Sequence, residues 1–133
     1  MYQLTQAYMN WNRACGEDPL RSLPGDRALA DMLYAHGLIM NGGVLHAIEC
    51  LTASELSDAK AGYSYFGLEA VTSVLSRARA HFENDSDLGE HESQLDSQYI
   101  DLIRSDSVLV ERFEQRLKLK PVEFASLRTR DMA

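Results

Sequence analysis

The chain has 133 residues, with 20 Asp and Glu against 13 Lys and Arg, for a formal charge of −7. That length suits a single domain whose core needs no disulfide or metal support, and 45% apolar with 25% charged residues excludes wholesale disorder. The acidic balance argues against a general binder of nucleic acid or anionic membrane, both of which carry the same sign of charge.

In chain order, Leu4 to Ala14 reads as a first helix, closed by Gly16 and Pro19, with a connector over Arg21 to Gly25. Asp26 can cap a second helix in which Leu29, Met32, Leu33, His36 and Met40 recur at helical spacing. Asn41-Gly42-Gly43 stops it, because Asn and Gly accept left-handed backbone at a helix C-terminus. A short helix follows with Val44, Leu45, Ile48 and Leu51 on its apolar side, and Ser54 opens another toward Tyr65. Phe66 to Phe82 carries the clearest stripe: Val71, Val74, Leu75, Ala78 and Phe82 opposite Glu69, Ser73, Ser76 and Arg77. Asn84 to Glu92 reads as a polar loop around Gly89, within an acidic stretch over 83–94. Two more helices span Leu95 to Arg104 and Val108 to about Leu119, the last stopped by Pro121. No window alternates with period two. The sequence predicts one all-α domain over 1–133, a compact bundle of about six to seven helices.

The charge is local. Residues 1–42 hold four acids and three bases, as do residues 43–82, while residues 107–133 hold four acids and six bases. Between Glu83 and Asp106 stand eight acids (Glu83, Asp85, Asp87, Glu90, Glu92, Asp96, Asp101 and Asp106) and one base, Arg104. The net −7 of the chain thus equals the net charge of this one segment. Solvated surface is the default meaning of such a run. Internal neutralisation is a second: Arg112, Arg116 and Lys120 are spaced to face a neighbouring acidic helix. The functional meaning is an electrostatic surface for a basic partner. Against duplex DNA the density is thin, since ~36 Å of helix would match about 21 phosphates.

Three motifs invite chemistry. Asn41-Gly42-Gly43 can make an anion-binding turn, but its spacing is not that of a P-loop or dinucleotide fingerprint, and a helix corner accounts for it. His46 and Cys50 stand i,i+4 as half a metal site or a Cys–His pair, with only His36 and Cys15 as further ligands; no metal is expected. Asp85-Ser86-Asp87-Leu88-Gly89 fails the calcium-loop register whether counted from Glu83 or Asp85. No Ser-His-Asp arrangement emerges, and no catalytic residue or cofactor is assigned. No apolar run approaches the ~20 residues that span a bilayer, Met1 to Asn12 lacks a signal-peptide layout, and two cysteines form no disulfide framework, so a cytoplasmic setting is expected.

The order of elements resembles the bacterial DNA-mimic-protein family of small all-helical domains. The matching residues are Asn41-Gly42-Gly43 before the short helix Val44 to Leu51, then Phe66-Gly67-Leu68 opening a long helix. Leu95-Asp96 and Tyr99 follow as a Leu-Asp-x-x-Tyr helix, and Phe124 closes the match, which covers about 29–124. The resemblance implies a helical domain, often dimeric, in which Asn41, Gly42, Gly43 and Gly67 are architectural and one branch presents acid to a DNA-binding regulator. The expected function is non-enzymatic: a basic protein bound through Asp85, Asp87, Glu90, Glu92, Asp96, Asp101 and Asp106 as phosphate surrogates. The alternatives are an immunity-type or antitoxin-like inhibitor of a toxin and, third, a metal or enzymatic protein using His36, His46 and Cys50.

Overall fold

The computed structural model describes residues 23–84 and 88–124, and the expected helix over Leu4 to Ala14, together with Cys15, Asp85 and Asp87, lies outside them. The described residues form six α-helices and no strand: α1 (Pro24–Gly42), α2 (Val44–Cys50), α3 (Ala53–Tyr65), α4 (Glu69–Asn84), α5 (Leu88–Leu102) and α6 (Asp106–Leu119), closed by a 3-10 turn over Pro121–Glu123. The expected all-α bundle is what forms.

Local chemistry sets the boundaries. Helix α1 begins at Pro24, inside the expected connector, because proline's fixed φ and missing N–H suit a first helical position. Asp26 is therefore not the cap residue; it sits in the first turn and its carboxylate accepts the Leu23 N–H at 3.3 Å. Helix α3 opens at Thr52, not Ser54: Thr52 Oγ1 accepts the Glu55 N–H at 3.1 Å and Glu55 accepts the Thr52 N–H at 3.0 Å, a reciprocal capping box. Helix α5 starts at Leu88, seven residues before the expected Leu95, so most of the expected loop is helical. Glu90 in its first turn suits the positive end of the helix.

Glycine shapes the path of the chain at Gly43 and at Gly62. Gly43 turns the chain from α1 into α2 at φ 99°, ψ 171°, a region that side-chain-bearing residues essentially do not occupy. Gly62 lets α3 cross α1 closely, since a Cβ there would stand 2.7 Å from the Ala28 carbonyl oxygen.

The core runs through all six helices. Leu29, Met32, Ala35 and Ile39 of α1 meet Val44, Ala47 and Ile48 of α2, Ala59 and Tyr63 of α3, and Val71, Val74, Leu75 and Ala78 of α4. Leu95, Tyr99, Leu109 and Phe113 complete it from α5 and α6. Two expected core residues lie outside. Met40 is 55% exposed because the buried face of α1 centres on Met32, Ala35 and Ile39, leaving Met40 at its margin. Phe82 is 37% exposed, one turn past Ala78, the last buried residue of α4. At the other end, Phe124 packs edge-on against Phe113 (5.5 Å between ring centres) and Tyr65 (6.4 Å), tying the 3-10 turn to α6 and α3.

Candidate functional site

The segment from Glu83 to Asp106 divides by role. Asp96 is inward-facing: its Oδ1 accepts the Val44 N–H at 2.8 Å, holding the start of α2 beside Gly43. Asp106, at the first turn of α6, accepts from His36 at 2.9 Å. Glu83 is paired with Arg79 of its own helix at 2.7 Å. Glu90, Glu92 and Asp101 are exposed and make no hydrogen bond or ion pair among the described residues. Glu90, Gln94, Ser97 and Asp101 follow one another at helical spacing along the outer stripe of α5, opposite Leu95 and Tyr99. Ile100 lies beside that stripe, 44% exposed. Glu92 stands off the stripe at the start of the helix. The carboxylates expected to form one surface are thus shared between architecture, an outer stripe that carries Glu90 and Asp101, and Glu92 apart from it at the start of the helix.

The basic residues expected to neutralise this segment do otherwise. Arg112 donates to the Gly67 carbonyl at 3.2 Å, beneath the turn that Gly67 makes at φ 77°. Arg116 lies over the Tyr65 ring, 4.2 Å from its centre, and 3.6 Å from Glu123. Tyr65 also donates to Glu123. Burial first, and the Glu123 bond second, push the Tyr65 hydroxyl up to about 12, while Arg116 opposes the rise. Lys120 is exposed at the end of α6. Arg112 and Arg116 therefore fasten α6 rather than screen α5.

The arrangement that sequence reasoning missed is a chain of polar tips across the interior. Tyr63 Oη and Tyr99 Oη are 2.7 Å apart, Tyr99 Oη is 2.7 Å from His36 Nδ1, and His36 Nε2 is 2.9 Å from Asp106 Oδ1. Both tyrosines are fully buried and His36 nearly so, while Asp106 reaches solvent. The direction follows from the donor inventory. An ionised Asp106 only accepts, so His36 Nε2 donates. In a neutral imidazole Nδ1 then accepts, so Tyr99 donates to it and receives from Tyr63. Burial raises both phenols well above their ordinary range; the neighbouring Tyr99 raises Tyr63 further, whereas the bond from Tyr63 lowers Tyr99. The signal was present: His36, Tyr63 and Tyr99 are polar-tipped residues at inward helical positions.

The remaining candidates are smaller. A cleft of about 480 Å³ opens between the first turns of α1 and the second half of α3, with Arg27, Asp31, Asp58 and Tyr65 at its walls. The His46 and Cys50 side chains touch on α2, while His36 is committed to the buried chain. His81 and His91 stack face to face, 3.8 Å between ring centres, joining α4 to α5. No group of three or more His, Cys, Asp or Glu residues that could hold a metal ion occurs among the described residues, and no described helix is long and apolar enough to cross a membrane.

Compared with protein-family models, characterised proteins and solved structures, the chain matches none.

Proposed function

We propose that this chain is a non-enzymatic protein-binding domain that presents the outer face of α5 to a basic partner, a DNA-binding regulator whose phosphate-contacting surface it occupies. The supporting observation is the division of the acids. Asp96 and Asp106 have internal partners, whereas Glu90, Glu92 and Asp101 point to solvent without one among the described residues. Exposed carboxylates with no internal role are available to a cationic surface, and such contacts set association rate and specificity more than raw affinity. The family resemblance of the Asn-Gly-Gly and Leu-Asp-x-x-Tyr segments supports a regulator as the class of partner. The residues that look most catalytic, His36 with Asp106 and two tyrosines, are spent on joining helices, and both phenol groups are sealed from any substrate.

The test is a triple substitution, Glu90→Lys, Glu92→Lys and Asp101→Lys, beside the unaltered chain. Each is used at low salt to capture partners from the native cytosol, with elution by a salt step and competition by duplex DNA. The unaltered chain is expected to retain a basic DNA-binding protein that duplex DNA displaces. The triple variant should keep its helical circular dichroism, melt somewhat lower because Glu90→Lys reverses a favourable charge at the start of α5, and lose the partner, with a flattened salt dependence. Retention of the same partner by the triple variant at the same salt would refute the assignment of this face. Capture of a nuclease or another toxic enzyme would favour the inhibitor reading instead.

A further inference from the structure

The end of α6 differs from the rest of the described surface. Every residue from Lys118 to Val122 is exposed, and Leu119 and Val122, at 73% and 68%, are the barest large apolar side chains among the described residues. Lys118 and Lys120 flank Leu119, and neither ammonium group has a hydrogen bond or ion pair among the described residues. No acid occurs between Gln115 and Val122. Glu114 lies one turn back and is half-buried, and Glu123 turns inward to Tyr65 and Arg116. The tip is pinned in this pose, because Phe124 is buried against Phe113 directly after the 3-10 turn.

A lysine in the last turn complements the helix dipole, which accounts for Lys118 but not for two bare aliphatic side chains beside it. Aliphatic side chains that enter the acyl boundary and cations that meet lipid phosphates are the two signals of a peripheral membrane contact, and stable association takes both. The chain's net −7 does not oppose it here, because that charge belongs to Glu83–Asp106. Helix α6 is 14 residues long, so about 20 Å separate Asp106 from Leu119, and salt screens charges over about 8 Å under physiological conditions. Glu90 lies beside His91, which stacks on His81 near the end of α4, whereas α6 meets the opposite end of α4 through Arg112 and the Gly67 turn. We propose that Lys118, Leu119, Lys120 and Val122 form a contact tip for an anionic phospholipid surface. Leu119 and Val122 enter the boundary between headgroups and acyl chains, and the two lysines meet the phosphates. The tip stands on α6 and is independent of the partner-binding reading of α5.

The experiment mixes the full chain with vesicles of equal parts phosphatidylglycerol and phosphatidylcholine, or of phosphatidylcholine alone, and records co-sedimentation against lipid concentration at low and physiological salt. The expected result is binding to the anionic vesicles at least about tenfold tighter than to the neutral ones, weakened by salt. The pair Leu119→Ser with Val122→Ser and the pair Lys118→Gln with Lys120→Gln should each reduce that binding about tenfold or more. All four side chains are exposed, so both variants keep the fold, and unchanged helical circular dichroism checks it. No co-sedimentation with anionic vesicles at low salt, equal binding to both vesicles, or binding that the serine pair leaves unchanged would each overturn the proposal. Soluble polyglutamate bound as tightly as the vesicles, with no effect of the serine pair, would point to an acidic protein in place of a membrane and overturn it as well.

Discussion

With His36 neutral, Tyr99 accepts a hydrogen bond from Tyr63 and donates one to His36 Nδ1, and both of those neighbours are buried. Removing its oxygen leaves two groups without a partner: the Tyr63 hydroxyl loses its acceptor and His36 Nδ1 its donor. A buried group so orphaned costs about 1–3 kcal/mol. Removing the Tyr63 oxygen is milder, because Tyr99 still donates to His36 and loses only a bond it accepted, which is about 1 kcal/mol. Tyr99→Phe is therefore expected to destabilise by about 2–4 kcal/mol and Tyr63→Phe by about 1 kcal/mol. Urea midpoints of the two variants check it, and a cost for Tyr63→Phe equal to or above that for Tyr99→Phe would contradict the prediction. The sequence places His36 on an apolar helical stripe, so its inward direction was legible, whereas for Tyr63 and Tyr99 the sequence left core and exposed anchor both open. Their partnership was not legible, because 63 residues separate His36 from Tyr99 and 36 separate Tyr63 from Tyr99. Asp106 shows the same limit: as a charge in an acidic run it reads as surface, and only the packing of α6 beside α1 gives it His36.

Helices were read well where local chemistry decides and less well where tertiary contact decides. The stop at Asn41-Gly42-Gly43 and the stripe of α4 follow from glycine backbone freedom and from periodicity; the stop appears as expected, and so does the stripe over Val71 to Ala78, though the helix begins at Glu69 and not Phe66 and Phe82 lies outside the core. The early start of α5 did not, since a polar, glycine-containing stretch reads as loop until a helix packs on it. Within α1 and its exit, two glycines should respond oppositely to alanine. Gly43 occupies an essentially glycine-only region, and an added Cβ would stand 3.1 Å from an Asp96 carboxylate oxygen. Gly43→Ala is expected to cost about 2–3 kcal/mol, combining backbone strain with a disturbed Asp96–Val44 bond. Gly37 lies in the middle of α1 with nothing within 4 Å of an added Cβ. Gly37→Ala should stabilise by about 0.5–1 kcal/mol, because alanine loses less backbone freedom on folding. Thermal melts of the two variants should bracket that of the unaltered chain, and a melt for Gly37→Ala at or below it would contradict the prediction.

At the scale of the molecule, the buried polar chain joins four of the six described helices. His36 comes from α1, Tyr63 from α3, Tyr99 from α5 and Asp106 from α6. A phenolate formed on Tyr63 or Tyr99 would stand in the core without water, so ionisation and opening of the bundle are linked. The sign is fixed by the raised phenols. A group that holds its proton more tightly when folded contributes stability that is fully present below its unfolded value, here 10.0, and is lost as pH rises above it. Tyr65 adds to the same window, with its folded value at about 12 and the clamp by Glu123 and Arg116 at stake. Stability should therefore decline steadily from pH 10 upward. Well above pH 10, tyrosinate absorbance from Tyr63 and Tyr99 should appear together with the loss of helical circular dichroism, not before it. Tyr63→Phe removes one such proton and should make the decline shallower while leaving it in place. Smooth ionisation of all six tyrosines near pH 10 with the helices intact would mean that the interior admits water to these phenols, and the four-helix chain would then not be the lock that its geometry describes.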